Sequence, residues 1–156
     1  MVNYHKSTLL KNIVIFCSGA TATFAIPPLS NFLFIFAFGF GIYLITLSSS
    51  LKKTFLSGWF FGFGWFSFGL YWIGSAFLVA DTFHKVLIPF ASVILPCLLS
   101  IFWGFACIFA KLLTKKNHSS IFLTIVFLTL FEYLRAKLFT GFPWLMPSII
   151  LSSNEY

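Results

Sequence analysis

The sequence predicts an all-α integral membrane protein, a bundle of about five transmembrane helices with a cytoplasmic N-terminus. Three observations lead to this prediction: the composition, the long stretches without charge, and the positions of the lysines. Hydrophobic residues make up 60% of the 156 residues and charged residues only 8%, whereas soluble domains carry roughly 25% charged residues. So few charged side chains could not cover a surface in water, which excludes an ordinary soluble domain.

Long segments of the chain contain no charged residue. Three such segments lie between Lys11 and Lys52, between Lys53 and Asp81, and between Lys85 and Lys111. A membrane-spanning helix needs about 20 mostly apolar residues, so the first segment has room for two helices and the others for one each. A further apolar run follows Ser120. We therefore predict a transmembrane helical domain over residues 1–145, with helices at about 9–26, 32–47, 55–80, 86–110 and 121–139.

The lysines lie on alternate connections of this bundle, which predicts its orientation. Those that precede the first helix or follow the second and fourth are Lys6, Lys11, Lys52, Lys53, Lys111, Lys115 and Lys116. On the other side, charges of opposite sign cancel among Asp81, Lys85, Glu132, Arg135, Lys137 and Glu155. Cytoplasmic loops of membrane proteins carry the excess of Lys and Arg, so the net charge indicates orientation and contact with anionic lipid. Nucleic-acid binding is not expected, because the lysines are spread over short connections.

Prolines mark the end of the first predicted helix and a bend in the fourth. Pro27-Pro28 ends the first helix, since proline donates no backbone hydrogen bond and restricts the residue before it. The basic start and the Ala20-Thr21-Ala22 triplet also resemble a cleaved signal peptide, but the apolar run continues to Ile26, which favours a retained helix. Pro96 should kink the fourth helix unless neighbouring groups satisfy the freed carbonyl.

The third predicted helix carries a stripe of small and aromatic residues. Gly58, Gly62, Trp65, Gly69 and Trp72 follow one another in steps of three and four, so they share one helix face. Small residues let two helix backbones approach closely in lipid. We therefore predict that Gly58, Gly62 and Gly69 pack against other helices, with the tryptophans filling the wider parts of the contact.

Glu132 is the one ionisable residue predicted to lie deep in a span. A carboxylate there costs ~2.5–3.5 kcal/mol on insertion scales, and such residues are functional candidates by default. Arg135 follows three residues later on the same face and can pair with it. Two interpretations remain open: the pair neutralises itself and holds the fifth helix in the bundle, or it contacts a lipid headgroup near the outer interface.

A break after the fifth helix forms the second candidate site. Gly141 can adopt the left-handed conformation that ends a helix, Pro143 keeps the chain extended, and Trp144 suits the headgroup level. We predict that Gly141, Phe142, Pro143 and Trp144 either anchor the chain at the interface or shape a portal for a lipid substrate.

The residue types needed for catalysis are not grouped in this sequence. No second carboxylate joins Glu132 in a predicted span for paired acid–base work. Cys17, Cys97 and Cys107 lie in predicted spans without metal-ligand or redox spacing, and no histidine is placed to activate them. We expect no catalytic, cofactor-binding or metal-ligating residue in this chain.

Three segments resemble one known family. Residues 58–73 (GWFFGFGWFSFGLYWI), residues 131–135 (FEYLR) followed by 138–145 (LFTGFPWL), and residues 24–28 (FAIPP) are similar to signatures of the apolipoprotein N-acyltransferases, in the same order and at about the same separation. The resemblance covers essentially the whole chain. It is most specific where the Glu132 and Arg135 segment is followed by Gly-Phe-Pro-Trp.

The resemblance implies a function and a location. Members of this family transfer a fatty acyl group from a phospholipid to the N-terminal cysteine of lipoproteins, at the outer face of the bacterial inner membrane. Their chemistry resides in an external nitrilase-like domain with a Glu-Lys-Cys triad, in which the cysteine forms a thioester. The implied partners are membrane phospholipids and a lipoprotein substrate.

The sequence departs from the family where the catalytic domain would begin. It ends just after the Gly-Phe-Pro-Trp segment, and no residue aligns with the triad, so residues 146–156 are expected to be a truncated external tail. We expect no acyltransferase activity from the chain alone, and a separately encoded catalytic half is one possible partner. Two alternatives are a non-enzymatic membrane scaffold and a small transporter, although a transporter would need polar residues in several spans.

Overall fold

The described residues form an all-α structure, which confirms the all-α part of the predicted fold class. The computed structural model describes residues 2–74, 88–114, 120–138, 145–148 and 150, and of residues 2–7 and 91 it describes only the backbone. No strand occurs in these ranges. The helices are α1 (Val2–Ala22), α2 (Ile35–Thr46), α3 (Leu51–Gly69), α4 (Leu95–Leu112) and α5 (Ile121–Leu138).

Side-chain caps and short turns set the boundaries of the first three helices. A 3₁₀ turn at Thr23–Ala25 continues α1, and a second at Phe32–Phe34 leads into α2. The Ser50 side chain accepts a hydrogen bond from the Lys53 amide at 3.3 Å, as an N-cap residue does. Helix α3 therefore begins at Leu51, before the predicted span of about 55–80. It ends at Gly69, and helical backbone resumes over 71–74; residues 75–80 of the predicted helix lie outside the described ranges.

A π-helical turn precedes Pro96 in the fourth helical segment. It covers Phe90–Ile94, where the Leu95 amide donates to the Phe90 carbonyl, five residues back. The Ser100 hydroxyl also donates to the Pro96 carbonyl at 2.6 Å. A π-bulge is one of the recognised ways in which a helix accommodates an interruption of its hydrogen bonds. A widened turn that passes directly into α4 therefore lies just before Pro96, and the predicted kink at Pro96 stays a prediction.

Helix α3 lies at the centre of the fold. It packs most extensively against α4 and α1, while α5 packs on α4, α2 packs on α1, and α2 also reaches α5. A hydrogen bond also joins α3 and α4: the indole Nε1 of Trp59 donates to the Cys97 carbonyl at 3.1 Å. Three phenylalanine and tryptophan side chains of α3 are fully buried: Phe61, Trp65 and Phe66.

Glycines allow α3 to approach both of its large neighbours. A Cβ added at Gly58 would lie 2.7 Å from Cys107 Sγ, and one at Gly62 would lie 3.2 Å from the Ser100 Cα, so both glycines face α4. Gly64 faces the backbone of α1, where Gly19 in turn faces α3. Gly69 faces a segment beyond α5, as described below. The predicted stripe is wrong at Trp72, which is 52% exposed, because the chain turns at Leu70 before reaching it.

Two described helical segments are long and apolar enough to cross a membrane, Thr8–Ala25 and Ser92–Leu112. Phe32–Thr46 is apolar but shorter, and α5 carries the charged residues Glu132, Arg135 and Lys137. The five-helix transmembrane arrangement and its orientation therefore stay predictions.

Candidate functional site

The Glu132 and Arg135 side chains form a buried ion pair in the middle of the fold. The Arg135 Nη2 atom lies 2.5 Å from Glu132 Oε2, and the two residues are 1% and 4% exposed, respectively. The predicted pairing is thus present. Both residues lie in the second half of α5, one helical turn apart, which is the spacing that brings side chains together on a helix.

Trp103 of α4 contacts the second oxygen of the same carboxylate. Its indole Nε1 donates to Glu132 Oε1 at 2.7 Å. A hydrogen bond to a charged group contributes about 1.5–3 kcal/mol. Glu132 therefore receives one donor from its own helix and one from α4, so the carboxylate fixes the rotation of α5 relative to α4.

An aromatic cluster is centred on Trp103, the residue that donates to this carboxylate. It consists of Phe38, Phe61, Trp65, Phe66 and Trp103. The Trp103 ring lies 5.3 Å from both Phe61 and Phe66, 5.9 Å from Phe38 and 6.1 Å from Trp65, between centroids. The Arg135 guanidinium lies 5.0 Å from the Phe66 centroid, in the range of a cation–π contact. Side chains from α2, α3 and α4 thus enclose the charged pair on α5.

A crevice between α2 and α5 reaches Glu132 from the outside of the bundle. It has a volume of about 290 Å³. Phe38 and Ile42 of α2 line one wall, Leu128 and Tyr133 of α5 line the other, and Glu132 is at its inner side. Residues 146–148, from the predicted tail, also line it, and Ile150 is buried. The described part of the tail therefore packs against the bundle.

Leu145 attaches the segment beyond α5 to the centre of α3. Trp65 Nε1 donates to the Leu145 carbonyl at 3.0 Å, and the Leu145 side chain occupies the space beside Gly69. Leu145 has a φ of 48°, a left-handed conformation that is uncommon for residues other than glycine and is held only by surrounding contacts. The predicted packing glycine Gly69 thus contacts this segment, whereas Gly58 and Gly62 contact a helix.

The rest of the second candidate site lies outside the described residues. Gly141, Phe142, Pro143 and Trp144 fall in the range 139–144, so their predicted role as an anchor or a portal stays a prediction. A groove of about 640 Å³ adjoins the end of that range, lined by residues that include Pro27, Trp72 and Leu145.

Sequence reasoning missed Trp103 and Phe38 as parts of the site. Both lie in helices that are apolar on nearly every side, so hydrophobicity alone does not mark these two residues as inward-facing. The signal that could have found Trp103 is its polar indole N–H, which needs a hydrogen-bond acceptor when it is buried. Glu132 is the one carboxylate that the described ranges contain.

The arrangement pairs two buried charges and holds α5 against α4 through the Trp103 hydrogen bond. No group of three or more His, Cys, Asp or Glu side chains that could hold a metal ion occurs there. Cys107 is buried against Gly58, whereas Cys17 is exposed on α1. What the site offers is a neutralised charge pair beside an apolar crevice.

Comparison with known proteins agrees with the resemblance seen in the sequence. Residues 18–155 match the family described as "Apolipoprotein N-acyltransferase N-terminal domain". Proteins named apolipoprotein N-acyltransferase are similar to this chain: the one from Brucella melitensis is 41% identical over 140 residues (83% of this chain and 26% of that protein). The one from Rhodopseudomonas palustris is 39% identical over 139 residues (85% of this chain and 26% of that protein). The one from Allorhizobium ampelinum is 37% identical over 138 residues (81% of this chain and 26% of that protein).

The matched region lies in the N-terminal part of these relatives, and this chain spans about a quarter of their length. The match covers most of the chain, including the ion pair, the aromatic cluster and the Gly-Phe-Pro-Trp segment. The chain belongs to the apolipoprotein N-acyltransferase N-terminal domain family.

Proposed function

We propose that this chain is the membrane-embedded N-terminal part of an apolipoprotein N-acyltransferase, in the inner membrane of a bacterium. The whole enzyme would transfer a fatty acyl chain from a phospholipid to the N-terminal cysteine of a lipoprotein. The chain would contribute the helical scaffold that holds the catalytic region and its lipid substrate. It would have no acyltransferase activity alone.

The observation that carries this proposal is that large apolar side chains are exposed while the charged pair is buried, the reverse of the distribution in a soluble protein. Phe36 and Phe122 are each 72% exposed, while Glu132 and Arg135 are almost fully buried. Contiguous exposed apolar surface is rare on soluble proteins. In a bilayer the same surface faces lipid, and the ionisable groups face the interior of the bundle. This distribution of polarity thus supports a bundle of five membrane-spanning helices in total, of which two also qualify by length and hydropathy.

Lysines support a cytoplasmic N-terminus in this arrangement. Lys11 of α1 and Lys111 of α4 both bond to Ser48 in the turn between α2 and α3, so lysines distant in sequence meet at one end of the bundle. An excess of Lys and Arg at one end indicates the cytoplasmic side. The opposite end, with Pro27 and Leu145, would then face the lipoprotein substrate.

The ion pair and the crevice have separate roles in this proposal. Removing one partner of a buried ion pair is strongly unfavourable. Both partners lie on α5, and their contacts to other helices are the hydrogen bond from Trp103 of α4 and the packing of Arg135 on Phe66 of α3. Glu132 and Arg135 would therefore hold α5 against α3 and α4. The apolar crevice between α2 and α5 would admit an acyl chain from the side, with Tyr133 at its rim.

A chimera tests the proposal. The region of the Brucella melitensis relative that this chain matches is replaced by this chain, and the chimera is expressed in cells depleted of their own enzyme. N-acylation is measured by mass spectrometry of the N-terminal peptide of a lipoprotein. We expect N-acylated product from the chimera and none from this chain alone.

The intact relative and the relative without its N-terminal region serve as positive and negative controls. Product formed by this chain alone would contradict the proposal. So would a chimera that reaches the membrane at the level of the intact relative and yields no product.

A further inference from the structure

Three lysines from three helices gather at the end of the bundle that is remote from Pro27 and Leu145. Lys11 Nζ donates to Ser48 Oγ at 3.2 Å, and Lys111 Nζ donates to the Ser48 carbonyl. Lys53, in the first turn of α3, lies close enough to Lys11 for electrostatic repulsion, as does Lys111. These residues are far apart in sequence, so the fold brings their charges together.

Beside Ser48, two of these lysines, Lys11 and Lys53, border a pocket of about 210 Å³. Lys11 and Lys53 line it together with hydroxyl groups, those of Thr8, Ser48 and Ser57 among them. The Ser48 and Ser57 hydroxyls lie 3.2 Å apart. A water molecule takes about 30 Å³ of liquid volume, so the pocket has room for a larger polar group. Hydroxyls and ammonium groups are donors to anionic oxygens.

Positive charge dominates this end of the bundle. The one acidic side chain in the described ranges is Glu132, and it forms its ion pair with Arg135 on α5. The N-terminus of α3 adds the positive end of a helix dipole next to Lys53. Lysine charges, hydroxyl donors and a helix terminus therefore converge on one pocket.

We propose that this pocket binds an anionic phosphate group, presented by the headgroup of an anionic phospholipid in the leaflet that contacts this end of the bundle. Lys11 and Lys53 would contact the phosphate oxygens, and Lys111 would hold the turn at Ser48 in place. The lipid source rests on the proposed embedding of the chain in a membrane, whereas the phosphate chemistry of the pocket does not.

Native mass spectrometry of the full chain, released from detergent micelles, tests this proposal. The micelles contain phosphatidylglycerol or phosphatidylcholine, and a third sample contains inorganic phosphate without phospholipid. We expect retained phosphatidylglycerol, and a loss of affinity of about fivefold for Lys11→Gln and for Lys53→Gln, the loss typical of one lysine at an anionic surface. Lys52→Gln is the matched control, because Lys52 is exposed on the same helix turn and does not line the pocket.

Several outcomes decide between a site and general attraction. An equal loss for Lys52→Gln and Lys11→Gln, or equal retention of phosphatidylcholine and phosphatidylglycerol, would overturn the proposal. Inorganic phosphate that displaces the lipid and binds more tightly, with the same dependence on Lys11 and Lys53, would overturn the lipid source. Lys11→Arg keeps the charge and should keep binding. Helicity by circular dichroism checks that each variant is folded. Cysteine labelling that contradicts a membrane-spanning bundle would overturn the proposed function, whereas phosphate binding by the pocket would be unaffected.

Discussion

The close approach of α1 and α3 makes Gly64 the most sensitive position for a small substitution. A Cβ added at Gly64 would overlap the Phe16 carbonyl oxygen and lie 3.0 Å from the Ala20 amide nitrogen. Both atoms belong to the backbone of α1, so neither can rotate away, and the helices would have to separate. Gly19 makes the reciprocal approach to the Phe61 carbonyl. Overpacking of this kind typically costs ~1–3 kcal/mol.

A matched control isolates that cost. In Gly39→Ala the added Cβ has no atom within 4 Å, so this variant reports only the gain in helix propensity, about 0.5–1 kcal/mol. Gly64→Ala has the same gain plus the overlap. We therefore expect Gly64→Ala to unfold with a free energy ~1–3 kcal/mol lower than Gly39→Ala.

Equilibrium unfolding in mixed micelles of dodecyl maltoside and dodecyl sulfate measures this difference. Tryptophan fluorescence reports the transition, because Trp65 and Trp103 are fully buried. If Gly64→Ala were as stable as Gly39→Ala, the described contact between α1 and α3 would be wrong, and with it the central place of α3.

The remaining predictions concern the ion pair, the indole of α3 and the buried thiol. Arg135→Leu leaves the buried Glu132 carboxylate without its counter-ion and should lower the unfolding free energy by ~3–5 kcal/mol. Leucine at both positions should cost less, and a larger loss in the double variant would contradict this. Trp65→Phe removes the donor to the Leu145 carbonyl and should cost ~1–3 kcal/mol in the same assay, and an unchanged stability would refute that hydrogen bond. Cys107 is 1% exposed and should react with a maleimide only after unfolding; modification of the folded chain at the rate of a free thiol would show that α3 and α4 separate.

The helices could be predicted from the sequence because charges and prolines interrupt the apolar runs. Lys52 and Lys53 separate the second and third helices, and Pro27-Pro28 separates the first and second. The apolar run after Lys52 and Lys53 predicts a membrane span from about residue 55, whereas the helix itself begins earlier, at its Ser50 cap. Helix boundaries depend on backbone hydrogen bonds, which composition does not report.

The candidate site was only half predictable. Glu132 and Arg135 stand out because ionisable residues are rare in apolar segments, and their spacing on one helix predicts the pair. Trp103 could not be assigned, since it comes from another helix and its neighbours Phe102 and Phe105 are as apolar as it is. Which residues meet across helices depends on helix rotation, which a uniformly apolar sequence does not encode by periodicity.

Cysteine labelling in intact cells tests the membrane topology most directly. In a chain whose native cysteines are replaced by alanine, Leu29→Cys and Lys52→Cys place single thiols at exposed positions at opposite ends of α2. We predict that a membrane-impermeant maleimide labels Leu29→Cys in intact cells and labels Lys52→Cys only after the membrane is permeabilised. Labelling of Lys52→Cys from outside, or equal labelling of both variants before permeabilisation, would contradict a bundle that spans the membrane with its lysines in the cytoplasm.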